Sequence, residues 1–318
     1  MSQSKVSWGL VNEIRSFLFL YVILRTSMNI VHIILAVLVF SMSLNTKAES
    51  CIRVEVQGAG QPLILIPGLM SDGSVWQQSE KYLAKNYQVH TVSIAGFAKT
   101  KACADADNIL SQVKSELLSY IEHHKLQKPV LMGHSLGAFL SYSLVIENET
   151  LFSAVIAVDG LPYIAPIFTK TSATTPTDMR QQADYIKNIY QQATAQQMAD
   201  MTKQTIAIQA TSIENQQAVI AMAKVSDQNT VASALHFLLL NDLREPLKKV
   251  KTPLLLIAAQ GAFTNEASRR FATALYQQQI ENVPNAHLIT NTDARHFIML
   301  DDNEWLMAAT DLFLQGVL

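Results

Sequence analysis

From Cys51 onward, short apolar runs alternate with stretches in which apolar residues recur every three or four positions. The runs are Ile52–Val56, Leu63–Ile66, Gln88–Ile94, Val130–Met132, Ala154–Val158, Leu254–Ala258 and His287–Thr290. Several are rich in Leu or β-branched residues and lack polar alternation, as strands covered on both faces should. Helical spacing covers Ile109–His123, Leu136–Glu147, Glu266–Gln278 and Asp302–Leu314. In the first of these, Ile109, Val113, Leu117, Leu118 and Ile121 share one face. The last opens on Asp301-Asp302, two carboxylates expected to cap it. Strands alternating with helices predict an α/β fold: a mostly parallel central sheet flanked by helices.

One stretch breaks the alternation. Leu161–Leu247 is rich in Gln, Ala and Thr, opens with Pro162 and Pro166, and has helical patterning without a clear strand. An insertion of this size between two core strands reads as a helical cap, 161–247, carried at the carboxyl edge of the sheet. Its Gln pairs (Gln181-Gln182, Gln191-Gln192, Gln196-Gln197) read as solvated helix faces. Met198, Met201 and Met222 read as lining either a core or an apolar acyl pocket.

The N-terminus has a different character. Phe17–Leu24 and Ile30–Leu44 are apolar runs parted by Arg25, and the second ends in Asn45-Thr46-Lys47-Ala48. Small residues at Thr46 and Ala48 suit cleavage after Ala48, so residues 1–48 are expected to be a secretory signal, with Met28 as an alternative start. An uncleaved membrane anchor built from both runs is the competing reading. Hence two segments are expected: 1–48, and a single α/β domain over 49–318, periplasmic or secreted if cleaved.

Composition sharpens this division. The 318 residues are 49% hydrophobic and 16% charged, with mean hydropathy +0.16, and the leader accounts for much of that excess. Losing Lys5, Arg15, Arg25, Lys47 and Glu13 with it changes the formal charge from -2 to -5. Neither value offers a basic field for a phosphate backbone, so no nucleic-acid partner is expected. Cys51 and Cys103 both survive cleavage, and they read equally as a disulfide in an oxidising compartment or as two buried thiols.

Chemistry concentrates in Gly133-His134-Ser135-Leu136-Gly137. This G-x-S-x-G follows an apolar strand directly and precedes an apolar helix, the context that a nucleophile elbow requires. A sharp turn there lifts the Ser135 hydroxyl off the sheet edge, and flanking glycines remove side chains that would collide with neighbouring backbone. N–H groups at the start of the helix stand ready for an oxyanion.

With this elbow in place, residues 51–318 resemble the α/β-hydrolase family. Leu63–Met70, LILIPGLM, with Trp76 beyond it, is similar to that family's strand and oxyanion turn, with Pro67 where His is usual. The resemblance implies an oxyanion hole made by the backbone N–H groups of Leu69 and Leu136. Ser93-Ile94-Ala95-Gly96-Phe97 resembles the loop after the next strand. The family's order, Ser first and then His on the final loop, selects His296 as general base. Most members carry the orienting Asp after the strand that here is Leu254–Ala258, but Ala259–Glu266 contains no Asp. Some branches use the preceding strand, whose end here is Asp159-Gly160. Asp159 is therefore the favoured acid and Glu266 the alternative, with Asp293 read as a loop carboxylate.

The resemblance implies a serine hydrolase working through an acyl-enzyme on a small or medium lipophilic ester. Peptidase, lactonase, thioesterase and acyltransferase chemistry stay open, as does a binding protein that keeps the fold without turnover. No cofactor is expected: Gly58-Ala59-Gly60 has no helix behind it, and no His/Cys/Asp cluster has metal-ligand spacing. The expected partner is a small acyl substrate, with a membrane involved only if the leader is retained. The oligomeric state is left open.

Overall fold

The computed structural model describes residues 50–318, and the expectations for residues 1–48 lie outside the described residues. Seven strands form one sheet: β1 (Ile52–Gln57), β2 (Gln61–Ile66), β3 (Tyr87–Ile94), β4 (Val130–His134), β5 (Ala154–Val158), β6 (Leu254–Ala259) and β7 (Ala286–Asn291). Their spatial order is β1-β3-β2-β4-β5-β6-β7, with β1 antiparallel to β3 and every other pair parallel.

The unbroken apolar runs are explained by what lies on each face. In β2, Ile64 and Ile66 join one buried cluster, and Leu63 and Leu65 join another on the opposite side. In β6, Leu254, Leu256 and Ala258 face the first cluster, and Leu255 and Ile257 the second. The first cluster is covered by α2 (Ile109–His123), α3 (Leu136–Glu147) and α10 (Glu266–Gln279). Leu83, which ends α1 (Gln77–Leu83), and Leu306, Met307 and Leu314 of α12 (Asn303–Val317) cover the second. Fully burying one such side chain contributes about 1.5–3 kcal/mol, so both faces strongly fix the register.

Between β5 and β6 the chain runs through α4 (Ala165–Thr169), α5 (Pro176–Gln191), α6 (Ala195–Gln209), α7 (Ile213–Val225), α8 (Gln228–Leu240) and α9 (Arg244–Leu247). Side chains set their boundaries. Thr175 with Asp178, and Thr194 with Gln197, form reciprocal capping boxes at α5 and α6. Ser212 and Asp227 cap α7 and α8. Within the insertion α5 packs on α8 and α6 on α7. Phe139 of α3 meets Phe237 of α8 edge-on, with ring centroids 6.1 Å apart. Met198 enters the main core, whereas Met222 packs against the opposite cluster.

Cys51 and Cys103 are bonded, with Cα atoms 5.3 Å apart, which ties the start of β1 to the loop after β3. The Cys51 amide also donates to both oxygens of Glu116 on α2. No helix among the described residues is long and apolar enough to cross a membrane.

Closing a loop of 52 residues restricts the unfolded chain. Cys51→Ser/Cys103→Ser should lower unfolding stability by roughly 2–4 kcal/mol. Urea unfolding of the two proteins checks this, and equal midpoints would exclude a stabilising cross-link.

Candidate active site

Parallel strands deliver their carboxyl ends to one edge of the sheet, where loops can converge. In the β4–β5 register His134 stands opposite Val158, so the next residues along, Ser135 and Asp159, leave neighbouring strands side by side. The Ser135 amide donates to Val158 O at 3.0 Å, and the Asp159 amide to Ile257 O at 2.8 Å.

Ser135 turns off β4 at φ 52°, ψ -113°, a conformation that side chains seldom adopt and that surrounding structure must enforce. Close backbone approach does the enforcing. A Cβ on Gly133 would run into the Gly137 carbonyl, and one on Gly137 into that of Ile66. These contacts hold the backbone of Ser135 and the start of α3 in place.

Asp159 also lies in the left-handed region, at φ 47°. Its Oδ2 is 2.6 Å from His296 Nδ1. A carboxylate only accepts, so Nδ1 carries a proton, and in the neutral ring this leaves the lone pair on Nε2. Asp159 Oδ1 accepts from the Ala259 amide at 2.8 Å and from the Tyr276 hydroxyl at 2.7 Å. Burial pushes the Tyr276 hydroxyl well above its ordinary range, and the Asp159 charge adds to that, so the phenol stays a donor. The Ser135 hydroxyl makes no hydrogen bond among the described residues. Such bonds commonly tighten only when substrate binds.

Asn291 shapes the loop that presents His296. Its Oδ1 accepts from the Asp293 and Ala294 amides at 2.9 and 2.6 Å, while its Nδ2 donates to Asp302 at 2.9 Å. His134 supports the same loop from beneath, with Nε2 3.0 Å from the His296 carbonyl and ring centroids 4.5 Å apart. Here Nε2 must donate, so His134 Nδ1 is bare; it has no partner among the described residues. A Cβ on Gly68 would stand 2.7 Å from that atom. The turn after β2 thus presses on the elbow, and the Leu69 and Leu136 amides have no acceptor among the described residues.

The insertion is bonded to both sides of this edge. His296 N and Phe297 N donate to the carbonyls of Ile208 and Gln209 at 3.3 and 2.9 Å, and the Arg295 guanidinium donates to Ala210 O at 2.8 Å. Asp301 does not cap the final helix. It accepts from the Thr211 amide and hydroxyl at 2.9 and 2.7 Å and from the Arg295 amide at 3.0 Å, while Asp302 alone caps α12 through Trp305 N. On the other side the Asp227 amide donates to Gly96 O at 2.8 Å, and the Ala98 amide to Ser226 Oγ at 2.8 Å.

Other carboxylates stay outside the site. Glu266 opens α10 on the surface and pairs with Arg270, and Asp293 is exposed. His236 pairs with Asp184 on the insertion, 2.8 Å apart, and His90 bonds Tyr120. Among the described residues, no group of three or more His, Cys, Asp or Glu side chains could hold a metal ion.

The sequence model of the alpha/beta hydrolase family matches residues 63–309. The chain belongs to that family. It is similar to pimeloyl-acyl-carrier protein methyl ester esterase from Aliivibrio fischeri (strain MJ11): 24% identical over 272 residues, covering 82% of this chain and 96% of that one. The counterpart from strain ATCC 700601 / ES114 is 29% identical over 110 residues, and that match spans 34% of this chain and only 40% of the relative. The hydrolase fold recurs in the solved enol-lactonase from Burkholderia xenovorans LB400, with TM-score 0.64, 17% identity, and 83% and 96% of the two chains covered. MenH from S. aureus matches with TM-score 0.67 and 18% identity over 84% and 99%.

Sequence reasoning missed Tyr276, Asn291 and the tie made by Asp301 in this hydrolase. An aromatic on the apolar face of α10 carries no signal beyond core. The motifs Thr175-x-x-Asp178 and Thr194-x-x-Gln197 would have delimited α5 and α6.

Burial holds His134 far below the ordinary histidine range, with the neighbouring His296 adding to it. The unfolded chain gains a proton below about pH 6.5 that the folded hydrolase refuses, so stability falls as pH drops through that value. His90, pushed down to about 4 by burial and by His124, acts in the same direction. Each group steepens the loss towards about 1.4 kcal/mol per pH unit below 6.5. Denaturant titrations at pH 7 and pH 5 check this, and equal stability at both would contradict neutral, buried rings.

Proposed function

We propose that this hydrolase is a serine esterase acting through an acyl-enzyme on a small or medium lipophilic carboxylic ester. The observation that carries the reading is the 2.6 Å contact between His296 Nδ1 and Asp159 Oδ2, formed one strand away from the Ser135 elbow. Ser135 Oγ attacks the acyl carbon, and the lone pair on His296 Nε2 takes its proton. The carbonyl oxygen, now negative, is received by the N–H groups of Leu69 and Leu136. Collapse expels the alcohol, which His296 protonates, and water then repeats the sequence to release the acid and free Ser135. Asp159 holds His296 in the tautomer that leaves Nε2 unprotonated. Support for an ester comes from the esterase names of the A. fischeri relatives, and support for an apolar acyl group from Met198, Met201 and Leu238 of the insertion, which pack in the cluster that also holds Leu136.

Three variants test the reading. Wild type should react with a fluorophosphonate probe and turn over short and medium p-nitrophenyl esters, and Ser135→Ala should do neither. Asp159→Asn should fold yet lose up to about 10⁴ in kcat, the cost of a mis-held tautomer in a serine protease. Glu266→Gln, on an exposed ion pair, should stay within about twofold of wild type. Absence of labelling in folded wild type would leave a binding protein. Collapse in Glu266→Gln with activity in Asp159→Asn would reverse the assignment of the acid.

We further propose that residues 1–48 direct the enzyme to an oxidising compartment and are removed after Ala48. The Cys51–Cys103 disulfide supports this, since such bonds persist where thiols are not kept reduced. Mass spectrometry of the protein exported from its own host should find Glu49 as first residue. An intact leader in the membrane fraction would establish an anchor instead.

A further inference from the structure

The Asp159 carboxylate has two oxygens with different partners. Oδ2 faces His296, and Oδ1 turns inward to the Ala259 amide and the Tyr276 hydroxyl. The amide is fixed by the end of β6. The phenol arrives from α10, nine-tenths buried, and is the only side chain other than His296 bonded to Asp159 among the described residues. α10 is itself fastened to this edge: Gln260, just after β6, donates to Arg269 O and to Thr273 Oγ1 at 3.2 and 2.6 Å. On its other side Tyr142 donates to Gly160 O at 3.0 Å, bracing the residue after Asp159.

We propose that Tyr276 is a positioning residue of the esterase, acting through Asp159 to set both the direction and the basicity of the carboxylate that faces His296. The inference rests on the reading of Asp159 as the orienting acid. Two donors on Oδ1 lock rotation of the carboxylate, which keeps Oδ2 directed at His296 Nδ1. A hydroxyl donated to Oδ1 also draws negative charge away from Oδ2. With the hydroxyl removed, more charge rests on Oδ2 and the imidazolium is better stabilised.

Tyr276→Phe removes one oxygen and keeps the ring that fills the core. It should lower kcat about ten- to a hundredfold, the range for losing a hydrogen bond to a charged group, with KM for a p-nitrophenyl ester little changed. The acid limb of kcat/KM should move to higher pH. In an Asp159→Asn background the same change should cost nothing further, because its effect passes through the carboxylate. An unmoved acid limb, or a loss that adds fully to that of Asp159→Asn, overturns the proposal and leaves Tyr276 as packing. Asp159→Asn that keeps wild-type turnover removes the reading beneath it, an outcome distinct from failure of Tyr276→Phe alone. Thermal melts of each variant separate lost alignment from lost fold.

Discussion

A carboxylate with almost no access to water, at the end of a strand whose residues are all buried, is expensive unless every lone pair it presents is answered. At Asp159 the answers come from three separate parts of the chain: the final loop through His296, the end of β6 through Ala259, and α10 through Tyr276. The residue also takes a left-handed backbone, which turns its side chain across the sheet edge instead of along the strand. That one charge sets where His296, α10 and the β6 end must lie relative to Ser135. The elbow is positioned by sterics, with glycines letting backbone touch backbone. The rest of the site is positioned by hydrogen bonds, with those to Asp159 joining three parts of the chain.

The insertion belongs to the same construction. Its 208–211 turn is bonded to the loop that carries His296, and its 226–230 turn to the loop after β3. Asp301 is central to the first junction because it accepts from both Thr211 of the insertion and Arg295 beside His296. His296 and the insertion are therefore held to one another directly. A change in the insertion reaches His296 through backbone amides.

Much of the fold was legible because it follows from periodicity. All seven strands and four of the principal helices lie within a few residues of their predicted bounds. In β2, β4, β5 and β6 burial on both faces leaves continuous apolar runs, whereas β1 at the sheet edge alternates. Ser135 was legible because the turn demands glycines on both sides within a recognisable strand and helix. His296 and Asp159 could be named only through chain order and resemblance, and the geometry puts both at the edge beside Ser135. The partners of those residues were not legible. Tyr276 lies 117 residues from the carboxylate it bonds, so no local spacing betrays it, whereas Asn291 acts within its own turn, on the amides of Asp293 and Ala294. Asp301 looked like a cap because caps are local, but its acceptors were needed by residues 90 positions away.

The surroundings of Asp159 explain why those partners exist. The end of the neighbouring strand β6 holds Ala259, whose backbone N–H donates to the carboxylate arriving from β5. His296 meets the other oxygen. The carboxylate has little access to water, so its remaining acceptor capacity must be met from within the protein. Tyr276 meets it from the helix that follows β6, so burial of this carboxylate and burial of a phenol against it are two parts of one arrangement.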